Sequence, residues 1–409
     1  MEKHIVIVGA GHAGGTVAAM LRQLAHKGRI TLIGEEMLAP YQRPPLSKDF
    51  LKGLVDIESL KLKHDEFYTA HAIDLKLNVA VEAIDPLTKT VRCQTGEILA
   101  YDILIIATGA RARPLDVPGH DLAGIFTLRN VADAQALRRA LEPSCRLAII
   151  GGGYVGLEVA ASARALGVEV TVLERDTRVL ARVASPVLSE FFIEQHRAHG
   201  VEILCGVNLL GFEGCQGKLS GIRLSDGRLI SCDSALVGIG AQPNEEIARR
   251  AGLACPGGIE VDEATRTSDP FIYAIGDVTF RPLPLYGSHK CRVESVPSAI
   301  EQAKQVAHAI VGRPPPPPEV PWFWSDQYNI KLQIAGIAIG ADQNILRGTR
   351  ADGKFSVFHL RGDHVVAVEA INSTPDFMLG RQLIARKTPI LANNINDISK
   401  PLKETIYAF

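Results

Sequence analysis

The chain has 409 residues, a hydrophobic content of 46% and a formal net charge of −1. This length suits two or three domains with sizeable cores, and the near-zero charge argues against general nucleic-acid binding. No apolar run reaches the length of a membrane span, and a strand begins within a few residues of Met1, so we expect a cytoplasmic protein without a signal peptide. The seven cysteines are scattered without metal-ligand spacing, so we expect free thiols and no metal site.

The first predicted element is a strand at residues 4–8 that leads into a glycine-rich turn, Gly9-x-Gly11-x-x-Gly14, and a helix. In this context the glycines allow a tight turn and close approach of a phosphate, and the helix N-terminus attracts the anion. A second strand ends just before Glu35, where an acid binds a ribose hydroxyl. The first unit therefore predicts a dinucleotide site.

The glycine spacing of the first unit returns in a second unit, at Gly151, Gly153 and Gly156. Its strands are expected at residues 147–150 and 168–173, and Gly167 is placed to end the helix between them. Glu174 then takes the position of Glu35. One such turn is also typical of ordinary strand–helix connections, but two turns, each with its acid, predict two bound dinucleotides.

Two further strands flank the second unit. The first lies within residues 102–114 and leads into the turn at Thr108-Gly109. The second lies within residues 267–279 and ends at Gly276-Asp277. The simplest topology inserts the second unit into the first domain. A domain completed after such an excursion, with an acid at the carboxyl end of a strand, suits a cofactor longer than NAD, and Asp277 would bind its polyol chain.

The last part of the chain begins with a helix predicted from Ser295 to about Ile310, with Pro297 at its first position. The polyproline stretch at residues 313–321 predicts a stiff linker rather than a ligand for SH3-like modules. Alternating apolar residues then predict three strands, at 332–339, 354–360 and 364–371.

These motifs together resemble the flavoprotein family with two dinucleotide sites that is related to glutathione reductase. The resemblance implies FAD in the first site and a nicotinamide dinucleotide in the second, with a hydride passing between them. The implied fold is α/β, with two Rossmann-like domains, the NAD domain inserted in the FAD domain, and a C-terminal α+β domain whose sheet covers the flavin. The predicted domains are 1–112 with 246–321 for FAD, 113–245 for NADH, and 322–409 for the C-terminal domain.

Many members of this family relay electrons through a cysteine pair that follows the first unit, but residues 39–51 contain no cysteine. The stretches PYQRPPLSK, ESVPSAIEQA and PWFWSDQY, which begin at residues 40, 294 and 321, resemble the oxygenase-coupled ferredoxin reductases of the putidaredoxin reductase type. That branch implies NADH oxidation at FAD and single-electron delivery to a 2Fe–2S ferredoxin that supplies an oxygenase, for example of the cytochrome P-450 type. Pro297-Ser298 and His12 depart from residues common in this branch.

The resemblance, together with the first turn, predicts FAD contacts at Gly9, Gly11, Ala13, Gly14, Glu35, Arg43, Lys48, Val81, Arg129, Asp277, Val296 and Trp324. N–H groups at the start of the helix near Val296 would stabilise the reduced flavin. Lys48 would lie near the flavin N5, although a solvated loop lysine fits the sequence as well. Trp324 is placed near the flavin and the partner surface, although a core position also suits one of the two tryptophans.

The second turn and the resemblance predict NADH contacts at Gly151, Gly153, Tyr154, Gly156, Glu158, Glu174 and Gly240. Glu174 would bind the ribose 2′-OH and repel a 2′-phosphate, which favours NADH, while the nearby Arg175, Arg178 and Arg182 leave some NADPH use open. Glu158 fits a nicotinamide contact or a helix-surface position, and Tyr154 fits a cover of the nicotinamide pocket or ordinary packing. No side-chain acid or base catalyst is expected, since the flavin carries the chemistry with Lys48 and Glu158 assisting.

The expected partner is the ferredoxin, with no nucleic acid and no membrane, and the protein is expected to be a monomer or a weak dimer. Because net charge is near zero, docking would need a local basic cluster, offered by Lys290, Arg292, Arg313, Arg43 and Lys48. Two alternatives stay open from the sequence. One is a rubredoxin or nitrite-reductase-type reductase of the same fold, and the other is an NADH-responsive binding flavoprotein.

Overall fold

The computed structural model describes residues 2–390, 395–399 and 402–405. The chain forms two compact units. Unit one comprises Met1–Gln42, Glu58–Arg111 and Pro243–Phe323, and unit two comprises Arg43–Ile57, Ala112–Gln242 and Trp324–Phe409. Residues 43–57 thus group with unit two, although the sequence analysis placed them in the FAD domain. The division into three domains stays a prediction.

The described residues form 26 strands, numbered in chain order: β1 (Ile5–Val8), β2 (Ile30–Ile33), β3 (Ile73–Lys76), β4 (Val81–Asp85), β5 (Thr90–Cys93), β6 (Ile98–Ala100), β7 (Ile103–Ile106), β8 (Ala110–Ala112), β9 (Ile125–Phe126), β10 (Arg146–Ile150), β11 (Glu169–Glu174), β12 (Val201–Cys205), β13 (Leu209–Cys215), β14 (Lys218–Leu224), β15 (Leu229–Ser231), β16 (Ser234–Val237), β17 (Ala241–Pro243), β18 (Ile259–Glu260), β19 (Ile272–Ala274), β20 (Thr279–Leu283), β21 (His289–Cys291), β22 (Trp322–Gln327), β23 (Ile330–Gly336), β24 (Gln343–Thr349), β25 (Lys354–Arg361) and β26 (His364–Ile371).

The same residues form nine α-helices: α1 (His12–Gln23), α2 (Asp49–Lys52), α3 (Asp65–Ala70), α4 (Val131–Ala140), α5 (Tyr154–Ala165), α6 (Pro186–Ala198), α7 (Glu246–Arg250), α8 (Val296–Ile310) and α9 (Thr374–Arg386). Short 3-10 helices occur at Pro44–Ser47, Glu58–Leu60, Pro284–Tyr286 and Leu402–Thr405. None of the helices in the described part of the chain is both long and apolar enough to cross a membrane.

A five-stranded parallel sheet forms the centre of unit one, in the order β19-β7-β1-β2-β3. The side chains of β1 alternate between two cores. Ile5 and Ile7 pack with residues of α1 and α8, whereas Val6 and Val8 pack with residues of β4, β5 and β6. A strand covered on both faces is expected to be apolar throughout, and the sequence IVIV of β1 is fully buried.

Unit two has its own parallel sheet, in the order β12-β11-β10-β16-β9. Ile149 of β10 packs with residues of α5 and α6, and its neighbour Ile150 packs with residues of β13 and β14. The core on the helix side also contains Phe355 of β25, whose ring lies 5.1 Å from that of Phe191 in α6, centroid to centroid. The parallel sheet and the C-terminal region therefore share one apolar core.

The C-terminal region contains a five-stranded antiparallel sheet in the order β22-β23-β26-β25-β24. The polyproline stretch before it has no regular secondary structure, which fits a linker. The three segments predicted as strands form β23, β25 and β26, but β23 ends at Gly336, where φ of +80° leaves the extended region. The helix predicted near residues 295–310 is α8, and Pro297 is its second residue rather than its first.

Candidate functional site

The first glycine-rich turn joins β1 to α1 in unit one. Gly9 has φ of +112°, and a Cβ there would lie 2.2 Å from the carbonyl oxygen of Ala107. A Cβ on Gly14 would lie 1.9 Å from the carbonyl oxygen of Gly9. Only glycine fits these two positions without a backbone shift. A Cβ on Gly11, by contrast, would meet no described atom within 4 Å, so an open space lies at the turn before α1.

The N-terminus of α1 borders this space without an internal cap. Gly11 is the N-cap residue, no described side chain caps the helix, and the first turn carries no acidic residue. The first N–H groups of a helix lack intrahelical acceptors, and the positive end of the helix dipole attracts negative charge. The turn therefore suits a bound phosphate.

The strand order of unit one brings Asp277 to the same turn. A Cβ on Gly276, its neighbour, would lie 3.0 Å from the Cβ of Ala13 in α1. Gln302 of α8 holds this segment, because its side-chain oxygen accepts from the N–H of Gly276 at 3.1 Å and from the hydroxyl of Thr279 at 2.8 Å. Gln302 is fully buried. Gln302 was not among the residues predicted from the sequence, although a polar residue on the apolar face of the predicted helix was a signal for it.

The other residues predicted to contact FAD fall into two groups. In unit one, Glu35 is exposed after β2, while Val81 begins β4 and Val296 begins α8. The remaining four belong to unit two: Arg43, Lys48, Arg129 and Trp324. The Arg43 guanidinium donates to the carbonyl oxygen of Arg129 at 2.6 Å, and Trp324 is half-buried in β22.

Lys48 and Glu158 form a buried ion pair in unit two. The Lys48 Nζ lies 2.6 Å from Oε2 of Glu158, and the two side chains are 16% and 7% exposed. The hydroxyl of Ser47 donates to the same carboxylate oxygen at 2.5 Å. The hydroxyl of Ser325, from β22, donates to the other oxygen at 2.6 Å. The carboxylate is therefore satisfied on both oxygens, as a buried charge requires.

This network excludes two of the alternatives that the sequence left open. Lys48 is not a solvated loop lysine, and Glu158 is not a helix-surface residue. Ser162 of α5 also donates its hydroxyl to the carbonyl oxygen of Ser47 at 2.7 Å, which holds the segment before α2 against α5. Contacts of Lys48 and Glu158 with the flavin or the nicotinamide stay predictions.

The second glycine-rich turn joins β10 to α5 in unit two and has the geometry of the first. Gly151 has φ of +106°, and a Cβ there would lie 2.5 Å from the carbonyl oxygen of Gly238. A Cβ on Gly156 would lie 2.3 Å from the carbonyl oxygen of Gly151, whereas a Cβ on Gly153 would meet no described atom within 4 Å. The same open space and uncapped helix start therefore recur.

Glu174 is held rigidly beside this second turn. Its Oε2 accepts from the N–H of Gly152 at 2.7 Å, and its Oε1 accepts from the N–H of Asp176 at 2.8 Å. Arg175, next in the chain, has a side chain that is 77% exposed, and its Nε lies 3.8 Å from Oδ1 of Asp176. The arrangement fixes a negative charge at the end of β11, where an adenine ribose is expected.

Tyr154 is the first residue of α5, and its hydroxyl donates to the carbonyl oxygen of Val183 at 3.2 Å. Burial, together with the carboxylates of Glu369 and Glu158, raises the pKa of Tyr154 well above its usual value. The hydroxyl of Tyr154 therefore stays protonated at ordinary pH.

Gly240, the last of the residues predicted to contact NADH, has φ of +103°. A Cβ at Gly240 would lie 3.6 Å from the guanidinium of Arg182.

The cysteines of the chain are all free thiols. Burial raises the pKa of Cys232 to about 12 and that of Cys255 to about 11. Because the thiolate is the reactive form, such thiols are poor nucleophiles and poor electron relays. Among the described residues, no group of three or more His, Cys, Asp and Glu side chains is placed to hold a metal ion.

Three members of the proposed basic docking cluster pair with carboxylates, and one of them is Lys48, which is bound to Glu158. Lys290 pairs with Glu260 at 2.6 Å, and Arg292 pairs with Glu294 at 2.6 Å. These pairs reduce the local positive charge that the sequence alone indicated.

Comparison with known proteins identifies relatives over nearly the whole chain. A family model described as pyridine nucleotide-disulphide oxidoreductase matches residues 3–303, and a reductase C-terminal model matches residues 322–406. The chain is 48% identical to the probable ferredoxin reductase CtmF of Castellaniella defragrans, over 97% of each chain. It is 42% identical to putidaredoxin reductase CamA of Pseudomonas putida, over 99% of this chain and 97% of that protein. The reductase in a covalent putidaredoxin reductase–putidaredoxin complex is similar in structure, with a TM-score of 0.96, 41% identity and 98% of each chain covered.

Proposed function

Because the chain belongs to the pyridine nucleotide-disulphide oxidoreductase family, we propose that it binds FAD at the turn of unit one and NADH at the turn of unit two. The protein is a ferredoxin reductase that uses FAD and a nicotinamide dinucleotide. Bound FAD supplies the chemistry, since it accepts a hydride and releases electrons one at a time. The observation that supports this assignment is that each unit contains one glycine-rich turn and that the two turns have the same geometry.

The residues of unit one fit FAD. Any side chain at position 11 would enter the open space at the turn, so glycine there leaves room for a ligand. The uncapped start of α1 suits the pyrophosphate of FAD. Glu35 supplies the acid for the adenine ribose, and Asp277 supplies an acceptor for the polyol chain. At the start of α8 the Ser298 N–H donates to Ser295 Oγ, and the neighbouring N–H groups of the first turn suit negative charge on the reduced flavin.

The residues of unit two fit NADH rather than NADPH. The Glu174 carboxylate is fixed by two N–H groups, so it cannot turn away from a ligand. A ribose 2′-OH donates to such a carboxylate, whereas a 2′-phosphate is repelled by it. The exposed Arg175 offers only weak compensation, because its charge is screened by solvent.

Lys48 and Glu158 act as positioning residues in this proposal. The Glu158 carboxylate fixes the Lys48 ammonium in place, and the hydroxyls of Ser47 and Ser325 hold that carboxylate. The pair is neutral overall, so it offers a fixed dipole, rather than a net charge, to negative charge that develops during reduction. No proton transfer by either side chain is required.

The electron acceptor proposed here is a 2Fe–2S ferredoxin that supplies an oxygenase. Two observations support it. Relatives include putidaredoxin reductase and the ferredoxin reductase subunit of a benzene 1,2-dioxygenase system of Pseudomonas putida. Residues 39–51 contain no cysteine, so the thiol pair through which many family members relay electrons is missing from that segment, and we infer that electrons leave directly from the flavin edge.

Reduction of cytochrome c by NADH, with and without an added 2Fe–2S ferredoxin, tests this function. The expected result is slow reduction by the reductase alone and a large acceleration with ferredoxin. If NADH bleaches the flavin but ferredoxins do not accelerate cytochrome c reduction, the result favours an NADH-responsive flavoprotein instead. Acceleration by a rubredoxin but by no ferredoxin would select the rubredoxin alternative.

A further inference from the structure

A chain of hydrogen bonds in unit two runs from the buried carboxylate of Glu158 into the C-terminal sheet and on to α6. The Oγ of Ser325, which donates to Oε1 of Glu158, accepts from Nε2 of Gln327 at 3.2 Å. The Oε1 of Gln327 lies 2.8 Å from Nε2 of His196, and the hydroxyl of Tyr328 lies 3.0 Å from Nδ1 of the same ring. The hydrogen-bond chain therefore connects α5 to α6 through β22.

The chemistry of its groups gives this hydrogen-bond chain one direction. An ionised carboxylate only accepts, so the hydroxyl of Ser325 donates to Glu158, and the serine oxygen accepts from the amide of Gln327. Burial lowers the pKa of His196 to about 4, so the ring is neutral at ordinary pH and carries one proton. Its Nε2 then donates to Gln327 and its Nδ1 accepts from Tyr328. Each donor points toward the carboxylate, and hydrogen bonds aligned in this way polarise one another.

The interior of the hydrogen-bond chain is dry and rigidly held. Ser325, Gln327 and His196 are 0%, 1% and 0% exposed. Tyr328 begins the turn between β22 and β23 with φ of +55°, a conformation that bulky residues rarely adopt, and its ring stacks on His199 at 3.7 Å between centroids. Backbone strain of this kind persists where the surrounding structure holds a residue in place. The fold therefore maintains the hydroxyl of Tyr328 at the end of the chain.

We propose that Ser325, Gln327 and His196 are positioning residues that hold the Glu158 carboxylate, and through it Lys48, in the orientation in which the ion pair assists flavin reduction. Ser325 contacts Oε1 of the carboxylate and Lys48 contacts Oε2, so the carboxylate is held from both sides. Without the serine hydroxyl, the carboxylate can turn and carry the ammonium with it. The inference rests on the role proposed above for the ion pair.

Stopped-flow reduction of the holoenzyme by saturating NADH tests the inference. Ser325→Ala should slow flavin reduction about tenfold, as expected for a lost hydrogen bond to a charged group, and should leave the Kd for NADH within about twofold. Gln327→Met leaves the serine hydroxyl in place and should slow reduction about threefold, and His196→Leu, one step further away, by less than about twofold. Reduction at the wild-type rate in Ser325→Ala would overturn the proposal.

Ser356 provides a matched control for a merely structural role. It is also fully buried in the C-terminal antiparallel sheet, on β25, and its hydroxyl donates to the carboxylate of Asp376 at 2.9 Å. Ser356→Ala and Ser325→Ala should lose similar stability in urea, but only Ser325→Ala should slow flavin reduction. Ser325→Thr keeps the hydroxyl and should reduce at nearly the wild-type rate. Equal slowing by Ser356→Ala would indicate a general loosening of the sheet and overturn the positioning role.

The double variant Lys48→Met with Glu158→Gln separates this inference from the role of the ion pair. If it reduces flavin at the wild-type rate, the role proposed for the ion pair is wrong, and the inference with it. If it is slow while Ser325→Ala is not, the inference alone is wrong. Groups that act as a unit have non-additive effects, so Ser325→Ala added to the double variant should slow it by less than about twofold. A full tenfold loss there would mean that Ser325 acts by another route. Should Ser325→Ala fail to fold with FAD, Gln327→Met in both backgrounds decides between the same outcomes.

Discussion

The glycine-rich turns of unit one and unit two exclude side chains at matching positions. A Cβ on Gly14 would lie 1.9 Å from the oxygen of Gly9, and a Cβ on Gly156 would lie 2.3 Å from the oxygen of Gly151. The middle glycine leaves open space in both turns. The backbone therefore provides the same phosphate-binding geometry twice, and it does not distinguish one dinucleotide from another.

The side chains around the two turns supply the difference. In unit one the helix begins with His12, and the acid Glu35 is exposed. In unit two the helix begins with Tyr154, and the acid Glu174 is tied to two backbone N–H groups. We therefore propose that the choice of cofactor depends on a few neighbours of a common turn, and each of these neighbours can be substituted.

The largest effect is expected from alanine at the third glycine of each turn. Gly14→Ala should destabilise the protein by about 3 kcal/mol or more and abolish FAD binding, because the new Cβ overlaps a backbone oxygen. Gly156→Ala should retain FAD but lose reduction by NADH. The measurements are the flavin absorbance per chain and stopped-flow flavin bleaching. Gly11→Ala, whose Cβ meets no described atom, should keep the wild-type melting temperature when the two proteins are compared without FAD; an equal loss of stability there would contradict the steric argument.

The buried ion pair of unit two offers the next largest effect. Glu158→Gln leaves the Lys48 charge unpaired and should lower the free energy of unfolding by about 3–5 kcal/mol. The double variant Lys48→Met with Glu158→Gln should recover part of the lost free energy of unfolding, because no charge is left unpaired. Urea unfolding of the single and the double variant measures these free energies. Glu213→Gln breaks the exposed pair with Arg223, in which the side chains are 41% and 55% exposed, and should change stability by less than about 1 kcal/mol.

A buried histidine should make the stability of unit two depend on pH. His196 uses both ring nitrogens, at 2.8 Å from Oε1 of Gln327 and 3.0 Å from the hydroxyl of Tyr328, whereas the Nδ1 of His12 has no partner among the described residues. Burial lowers the pKa of His196 from 6.5 to about 4. The unfolded chain therefore binds the proton first, and stability present above pH 6.5 is lost as pH falls towards 4.

The expected loss is about 3 kcal/mol across this window. Thermal unfolding between pH 7 and pH 4.5 should show it, and His196→Gln should flatten that part of the profile while lowering stability at pH 7. If His196→Gln loses stability with falling pH as steeply as the wild type, the pH dependence is due to other groups.

The fixed acid of unit two should control the choice between NADH and NADPH. The wild type should prefer NADH, and Glu174→Ala should narrow the ratio of kcat/KM values by about tenfold, since one charge-assisted hydrogen bond is lost. Glu35→Ala, the counterpart in unit one, should leave this ratio unchanged. A wild-type preference for NADPH would refute the role assigned to Glu174.

The smallest effect is expected from the cysteines. Replacement of all seven by Ser or Ala, in a variant that keeps its FAD, should leave NADH-dependent reduction of ferricyanide within about twofold, because burial keeps thiols such as Cys232 protonated. A large loss from any single replacement would reveal a thiol relay.

Much of the molecule was predictable because its signals are local. The spacing of the glycines, the apolar runs of β1 and β10 and the acids after the second strands lie within short stretches, and they predicted both dinucleotide turns. The family and the cofactors predicted from the motifs are confirmed by the family model and the relatives. Asp277 required only one further inference, since a parallel sheet brings the carboxyl ends of distant strands together.

The contacts between distant segments were not predictable in the same way. Lys48 and Glu158 were each named from their motifs, but their pairing, and the hydroxyls of Ser47 and Ser325 that complete it, appear only in the folded chain. The sequence indicates a free positive charge at Lys290, but in the folded chain this lysine pairs with Glu260. Serine hydroxyls and surface charges occur throughout any sequence, so their partners cannot be inferred from composition or spacing.

The sequence by itself determined the two turns, because a backbone that must pass within van der Waals distance of another backbone admits only glycine, and glycine at fixed spacing is visible in a single chain. The tertiary structure decided which charges are buried, paired or unsatisfied. Burial of Glu158, rigidity of Glu174 and the unpartnered nitrogen of His12 depend on atoms supplied by other parts of the chain. Those environments set the energy of a charge or a hydrogen bond, and they exist only after folding.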